Sequence, residues 1–195
     1  MMNRQTSIAY IDLLTVLVAL FAVVTGILLS QNHALSKGNV EQKAEFIAIL
    51  EWGDNSRSDV DLWVRNPHGD IVNFRNRDKG LISLDRDDMG SNNVVLAADG
   101  QAITSTTRRE MASVRAIMPG QHVVNVMLYA LRDKPPIQAK VQIIKLNPYQ
   151  VVAERTVPLT TPGEERTIAS FDVQPDGSVS SIDTTSQIKL AEVVQ

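Results

Sequence analysis

The chain is expected to fold as a single N-terminal transmembrane α-helix followed by an all-β sandwich or jelly-roll domain. Three observations carry that expectation. One apolar run of membrane length lies near the start of the 195 residues. After it, the hydropathy period changes from 3.6 to 2. Turns rich in Pro, Gly and Asp then separate short runs of β-branched and aromatic residues. The resulting divisions are a short cytoplasmic N-terminus at 1–7, a transmembrane helix at 8–29, a linker at 30–43, an exported β-sandwich at 44–182, and a tail or edge element at 183–195.

The apolar run from Ile8 to Leu29 would rise about 33 Å as a helix, enough for a hydrocarbon core of ~30 Å. It is longer than the roughly 7–15 apolar residues of a signal peptide, and Asn32 would stand at the −3 position for cleavage after Ala34. A retained span is therefore expected. Arg4 and the amino terminus favour a cytoplasmic N-terminus. The following domain would then be periplasmic, anchored in a bacterial inner membrane.

Within the run stands Asp12, a carboxylate that costs roughly 2.5–3.5 kcal/mol at the centre of a membrane helix. Anchoring does not require that cost, so an ion or proton path is the natural reading. Thr15 lies one turn on and offers a hydroxyl. On a helical wheel Asp12, Thr15, Ala19, Ala22, Gly26 and Ser30 fall within about 80° of one another. Ala22 and Gly26 have the small-xxx-small spacing that lets a second helix approach. The competing reading is that small residues are common in any membrane helix.

The pattern Ile8-Ala9-Tyr10-x-Asp12-x-x-Thr15, followed by Ala19 and Phe21, resembles the single transmembrane helix of the MotB family of flagellar stators, in the wider group with ExbD and TolR. The resemblance implies that Asp12 carries a transported H+ or Na+, with Thr15 close to it. It implies a dimer, with Ala19, Ala22 and Gly26 at the helix contact. It further implies a ring of MotA- or ExbB-like multi-span subunits as partner, and an extracytoplasmic target on which the motor works.

The strands of the exported domain follow in order. Ala44–Trp52 alternates loosely, and Val60–Val64 with Ile71–Phe74 flanks the turn Asn66-Pro-His-Gly-Asp70 as a hairpin. Further strands are expected at Asn93–Ala97, Met111–Met118, His122–Leu131, Ile137–Leu146, Val151–Leu159, Thr167–Val173 and Ser178–Ile182. Pro119-Gly120, Pro135-Pro136, Pro162-Gly163 and Pro175-Asp-Gly177 punctuate them. Nothing reads as the alternating strands and helices of a peptidoglycan-gripping OmpA-like domain. Instead, Ser58-Asp59-Val-Asp61-Leu-Trp-Val-x-x-Pro67-x-Gly69, with Gly80-x-x-x-x-Asp85 downstream, resembles the YfaP-like β-sandwich family of unknown function. That resemblance implies a fold rather than an activity.

Two acidic groups stand out in this domain. Asp54, Asp59 and Asp61 precede or open one strand, and Asp85, Asp87 and Asp88 share a loop. Were the fold to bring them together, Asp59, Asp61, Asp85, Asp87 and Asp88 would offer the oxygen ligands that Ca2+ takes, about 6–8 in number. Against this, Arg57 and Arg86 are placed to pair with them, and Asp-rich surface turns are common.

Other chemistry is excluded. With no cysteine, disulfides, thiolate metal sites and Cys nucleophiles are ruled out. His33, His68 and His122 are scattered, without metal spacing or a Ser/His/Asp pattern. The net charge of −3 comes without a basic patch, so nucleic acid is not an expected partner. No enzyme activity and no resident cofactor are expected. The sequence thus points first to the B-type subunit of a proton- or sodium-driven membrane motor. The alternative is a membrane-anchored periplasmic β-sandwich binding module, Ca-dependent or not, without ion transport.

Overall fold

The computed structural model describes residues 4–35, 43–90 and 94–193. The chain divides into two compact units, Met1–Gln42 and Lys43–Gln195. The first is helix α1, Arg4–Leu35, whose side chains are described over residues 11–26. Among the described residues no helix is long and apolar enough to cross a membrane. The transmembrane helix expected over 8–29 is corrected accordingly. Residues 11–26, over which side chains are described, rise about 24 Å, short of the ~30 Å hydrocarbon core. Side chains at 8–10 and 27–29, which would complete a span, lie outside the described residues, as does most of the linker. The membrane and motor descriptions rested on that span and lose their footing with it.

The second unit is the all-β part of the expectation. Its strands are β1 (Phe46–Glu51), β2 (Asp59–Arg65), β3 (Ile71–Val72), β4 (Asp78–Lys79), β5 (Ile82–Arg86), β6 (Val94–Leu96) and β7 (Ala102–Thr104), then β8 (Arg109–Val114), β9 (Gly120–Ala130), β10 (Ile137–Leu146), β11 (Tyr149–Leu159), β12 (Glu165–Val173) and β13 (Val179–Asp183). A six-stranded sheet runs β11-β10-β1-β8-β5-β4 and a five-stranded sheet runs β13-β12-β9-β2-β3. Strands β6 and β7 pair only with each other. All the ladders are antiparallel.

Period-2 patterning explains the layering. In β10, Ile137, Ala139, Val141 and Ile143 are buried while Gln138 and Lys140 are exposed. Phe46, Ala48 and Leu50 of β1 point the same way. From the other sheet, Val60, Leu62 and Val64 of β2 meet them with Val126, Leu128 and Ile168. Each fully buried Leu or Ile contributes about 1.5–3 kcal/mol, so this one cluster gives the sandwich its cohesion. His122 belongs to it as a packing residue: it is buried and stacks on Phe171 with ring centroids 5.4 Å apart.

Because β2 alternates, its other side chains Asp59, Asp61 and Trp63 face away from that core. Trp63 joins Ile71, Val123 and Leu190 in a second, smaller apolar cluster on the outer face of the five-stranded sheet. Leu190 comes from the segment after β13, which the sequence left as a tail or edge element.

Candidate metal centre

The short strand β3 creates the setting. It pairs only with Val64 and Arg65 of β2, and the Leu62 N–H donates to a carboxylate instead: Glu110 Oε2 accepts it at 2.7 Å. Glu110 opens β8, in the opposite sheet, and shares its inward face with Ala112 and Val114. Its other oxygen, Oε1, accepts the Asp88 N–H at 3.3 Å. The carboxylate thus bridges β2 and the loop after β5.

Two further carboxylates converge there. Ligand oxygens of Asp61, Asp87 and Glu110 all lie within 4.8 Å of one another. Asp61 is 3% exposed, and its Oδ2 has no hydrogen-bond partner among the described residues. Asp87 is half-buried, with the Arg77 guanidinium 4.0 Å away. Burial, and secondarily the negative charges of Asp59 and Asp87, push the Asp61 carboxyl up to about 8; Arg75 acts weakly the other way. Burial also raises Glu110 well above the ordinary glutamate range, with Asp61 adding to the effect. Such shifts are what like charges in a dry pocket produce when no cation balances them.

The loop that delivers Asp87 is fixed by its neighbours. Asp88 is buried and turned the opposite way, towards Arg86 at 3.6 Å and Arg108 at 3.8 Å. Its Oδ1 also accepts the Gly90 N–H at 3.1 Å. Gly90 has φ 65°, and a Cβ there would stand 2.7 Å from the carbonyl oxygens of both Arg57 and Ser58. Only glycine lets the loop lie this close to the backbone that leads into β2.

That approach is secured from outside by Asp133. Its carboxylate accepts from the Ser56 hydroxyl at 2.7 Å, the Arg57 N–H at 2.8 Å, and the Ser58 N–H and hydroxyl at 2.9 Å each. These bonds hold its carboxyl far below the usual aspartate range, against the opposing effect of burial.

Of the five aspartates expected to hold a cation, the fold brings Asp61 and Asp87 together. Asp59 is buried nearby, its carboxyl pushed up to about 6 by burial against the lowering effect of Arg132, with Asp87 and Asp88 also raising it. Asp88 is committed to arginines, and Asp85 accepts from the Ser83 hydroxyl at 2.5 Å and from Arg115 at 3.4 Å. Asp54 is exposed. Glu110 escaped the sequence reading, which began its strand one residue later. The available signal was a charged residue in phase with Ala112 and Val114.

On α1, Asp12, Thr15, Ala19, Ala22 and Gly26 are exposed. The Thr15 hydroxyl donates to the backbone carbonyls of Asp12, at 2.8 Å, and Ile11, at 3.1 Å. It is spent on the helix itself, as hydroxyls inside helices commonly are.

No family model matches the chain, and no curated protein does either. Among solved structures, a homologue of the telluride resistance protein TerD from Streptomyces coelicolor A3(2) aligns at 14% identity and TM-score 0.44, covering 76% of this chain and 95% of its own. A protein of unknown function, SAV2460, aligns at 15% identity and TM-score 0.45, covering 76% of this chain and 94% of its own.

Proposed function

We propose that the β-sandwich is a divalent-cation-binding module, with Ca2+ held between Asp61, Asp87 and Glu110. The observation that carries this reading is the buried, unpartnered Oδ2 of Asp61, within 4.8 Å of two other carboxylate ligands. An isolated buried carboxylate is expensive, and a cation among three of them removes the cost. Ca2+ binds oxygen at 2.3–2.6 Å, so ligand oxygens across one ion lie up to about 5 Å apart. The cluster holds carboxylates alone, which favours a hard cation over zinc or copper. Water or substrate oxygens would complete the coordination. This reading keeps the Ca-dependent binding module expected from the sequence and leaves its membrane anchor aside.

The test is titration of the full chain with CaCl2 by isothermal calorimetry at pH 8. One Ca2+ per chain is expected. Asp61→Asn weakens binding by at least about tenfold while the circular dichroism spectrum is kept. Absence of binding at millimolar Ca2+, or equal binding by the folded Asp61→Asn chain, would overturn the proposal. The carboxylates would then be held simply as a protonated cluster.

A further inference from the structure

A second site lies on the outer face of the five-stranded sheet and suits a different class of ligand. After β13 the chain crosses this face from Thr184 to Val193, outside any strand ladder. Among these residues only Leu190 is buried, at 0% exposure, against Trp63, Ile71 and Val123.

The backbone of the segment is read by buried side chains of the sheet. Glu165 accepts the Leu190 N–H on Oε1 at 2.8 Å and the Ala191 N–H on Oε2 at 3.4 Å. The Thr167 hydroxyl accepts the Ile188 N–H at 2.8 Å and donates to the Ile188 carbonyl at 3.1 Å. Asn125 Nδ2 donates to that same carbonyl at 2.6 Å. Side chains of the segment add only longer contacts: Gln187 Oε1 accepts the Thr167 N–H, and Lys189 Nζ donates to the Glu165 carbonyl, both at 3.3 Å. Recognition of main-chain groups plus one aliphatic pocket is how extended peptides are bound.

The segment does not satisfy everything the groove offers. Among the described residues Trp63 Nε1, on a residue 5% exposed, has no acceptor, and Asn125 Oδ1, on a residue 0% exposed, has no donor. The two residues are direct cross-strand partners on β2 and β9. An unpaired donor beside an unpaired acceptor, both buried, is costly to leave in place. The segment buries one side chain and joins no ladder; the side-chain hydrogen bonds named above, and one from Arg155 to the Thr184 carbonyl, hold it, an attachment that opens more readily than a strand ladder.

We infer that this groove is a binding site for an extended peptide segment of a partner protein. The ligand places an aliphatic side chain in the Leu190 pocket and lends its main chain to Glu165, Thr167 and Asn125. Residues 184–193 are the intramolecular occupant that keeps the groove closed. A partner strand that also meets Trp63 Nε1 and Asn125 Oδ1 outcompetes it. The inference is independent of the cation site.

The test uses the full chain and a labelled synthetic peptide copying residues 184–193, followed by fluorescence anisotropy. The wild-type chain binds the peptide weakly, because its own segment competes at an effective concentration of about millimolar. Leu190→Asp opens the groove and tightens peptide binding at least about tenfold. Adding Glu165→Ala to that variant, or replacing the leucine of the peptide by aspartate, abolishes it. Failure of a folded Leu190→Asp chain to bind, or equal binding by wild type, overturns the inference. Hydrogen exchange on the wild-type chain guards against misfolding of the variant. The amides of Leu190 and Ala191 are expected to exchange at least about 100-fold faster than those of β9, and equal protection would make the segment an integral part of the fold. A concentration-dependent dimer formed by exchanged segments would assign the groove to a second copy instead.

Discussion

With Asp61 and Glu110 buried close together, the proton on each depends on the charge of the other, and the direction follows from that burial. The folded Asp61 carboxyl, raised to about 8 from 3.8, holds its proton more tightly than it does in the unfolded chain. That contribution to stability is complete below about pH 4 and is lost as pH rises towards 8. Asp59, raised to about 6, adds a similar loss in the lower part of that window. The cation-free chain should therefore show a denaturation midpoint that falls between pH 5 and pH 8, and saturating Ca2+ should restore it. Asp61→Asn should stabilise the cation-free chain at pH 8 by on the order of 2 kcal/mol while losing Ca2+ affinity, as seen in paired urea melts. Glu110→Gln should do the same less strongly, because the amide still accepts the Leu62 N–H but meets the Asp88 N–H poorly. Half of this chemistry was legible in the residues themselves. Asp61 and Asp87 stand in two acidic groups that invite a cation, but nothing in their spacing separates Asp87 from Asp88. That separation comes from Arg86 and Arg108, which hold Asp88.

At the level of elements, the centre depends on a loop pressed against the entry to β2. Gly90→Ala places a Cβ at positive φ and 2.7 Å from two carbonyl oxygens, so a loss of at least about 2 kcal/mol is expected, with weakened Ca2+ binding in the same preparation. Thermal denaturation with and without Ca2+ checks both. Asp133→Ala should also loosen this entry, since it frees the five groups of Ser56, Arg57 and Ser58 that the carboxylate holds, Arg57 Nε included. Most strands were readable: β1 and β10 alternate, and β9, β11 and β12 are long runs bounded by turn residues. Missed were β4, β5 and β7. Asp85 and Arg86 at the end of Ile82–Arg86 read as the start of a loop, and two- or three-residue strands such as Asp78–Lys79 carry too little pattern to register. The segment 184–193 was equally opaque, because one buried leucine among exposed residues has no period.

For the whole molecule, every buried hydrophobic side chain among the described residues lies between Phe46 and Leu190, inside the unit Lys43–Gln195. A chain lacking residues 1–42 should therefore unfold cooperatively with a midpoint within about 2 °C of the full chain, as measured by calorimetry. A larger drop would mean that α1 contributes to the sandwich. The apolar run was conspicuous in the sequence, and it is helical, but apolar character in a sequence does not by itself supply a membrane span. The helix leaves Ile11, Leu17, Phe21 and their neighbours exposed in the chain taken alone.

Strand β2 carries Asp61 and, two residues later on the same face, Trp63, the floor of the peptide groove. Two ligands that lean on one short strand obey reciprocity. Whatever factor the cation imposes on the affinity of the peptide, the peptide imposes on the affinity of the cation.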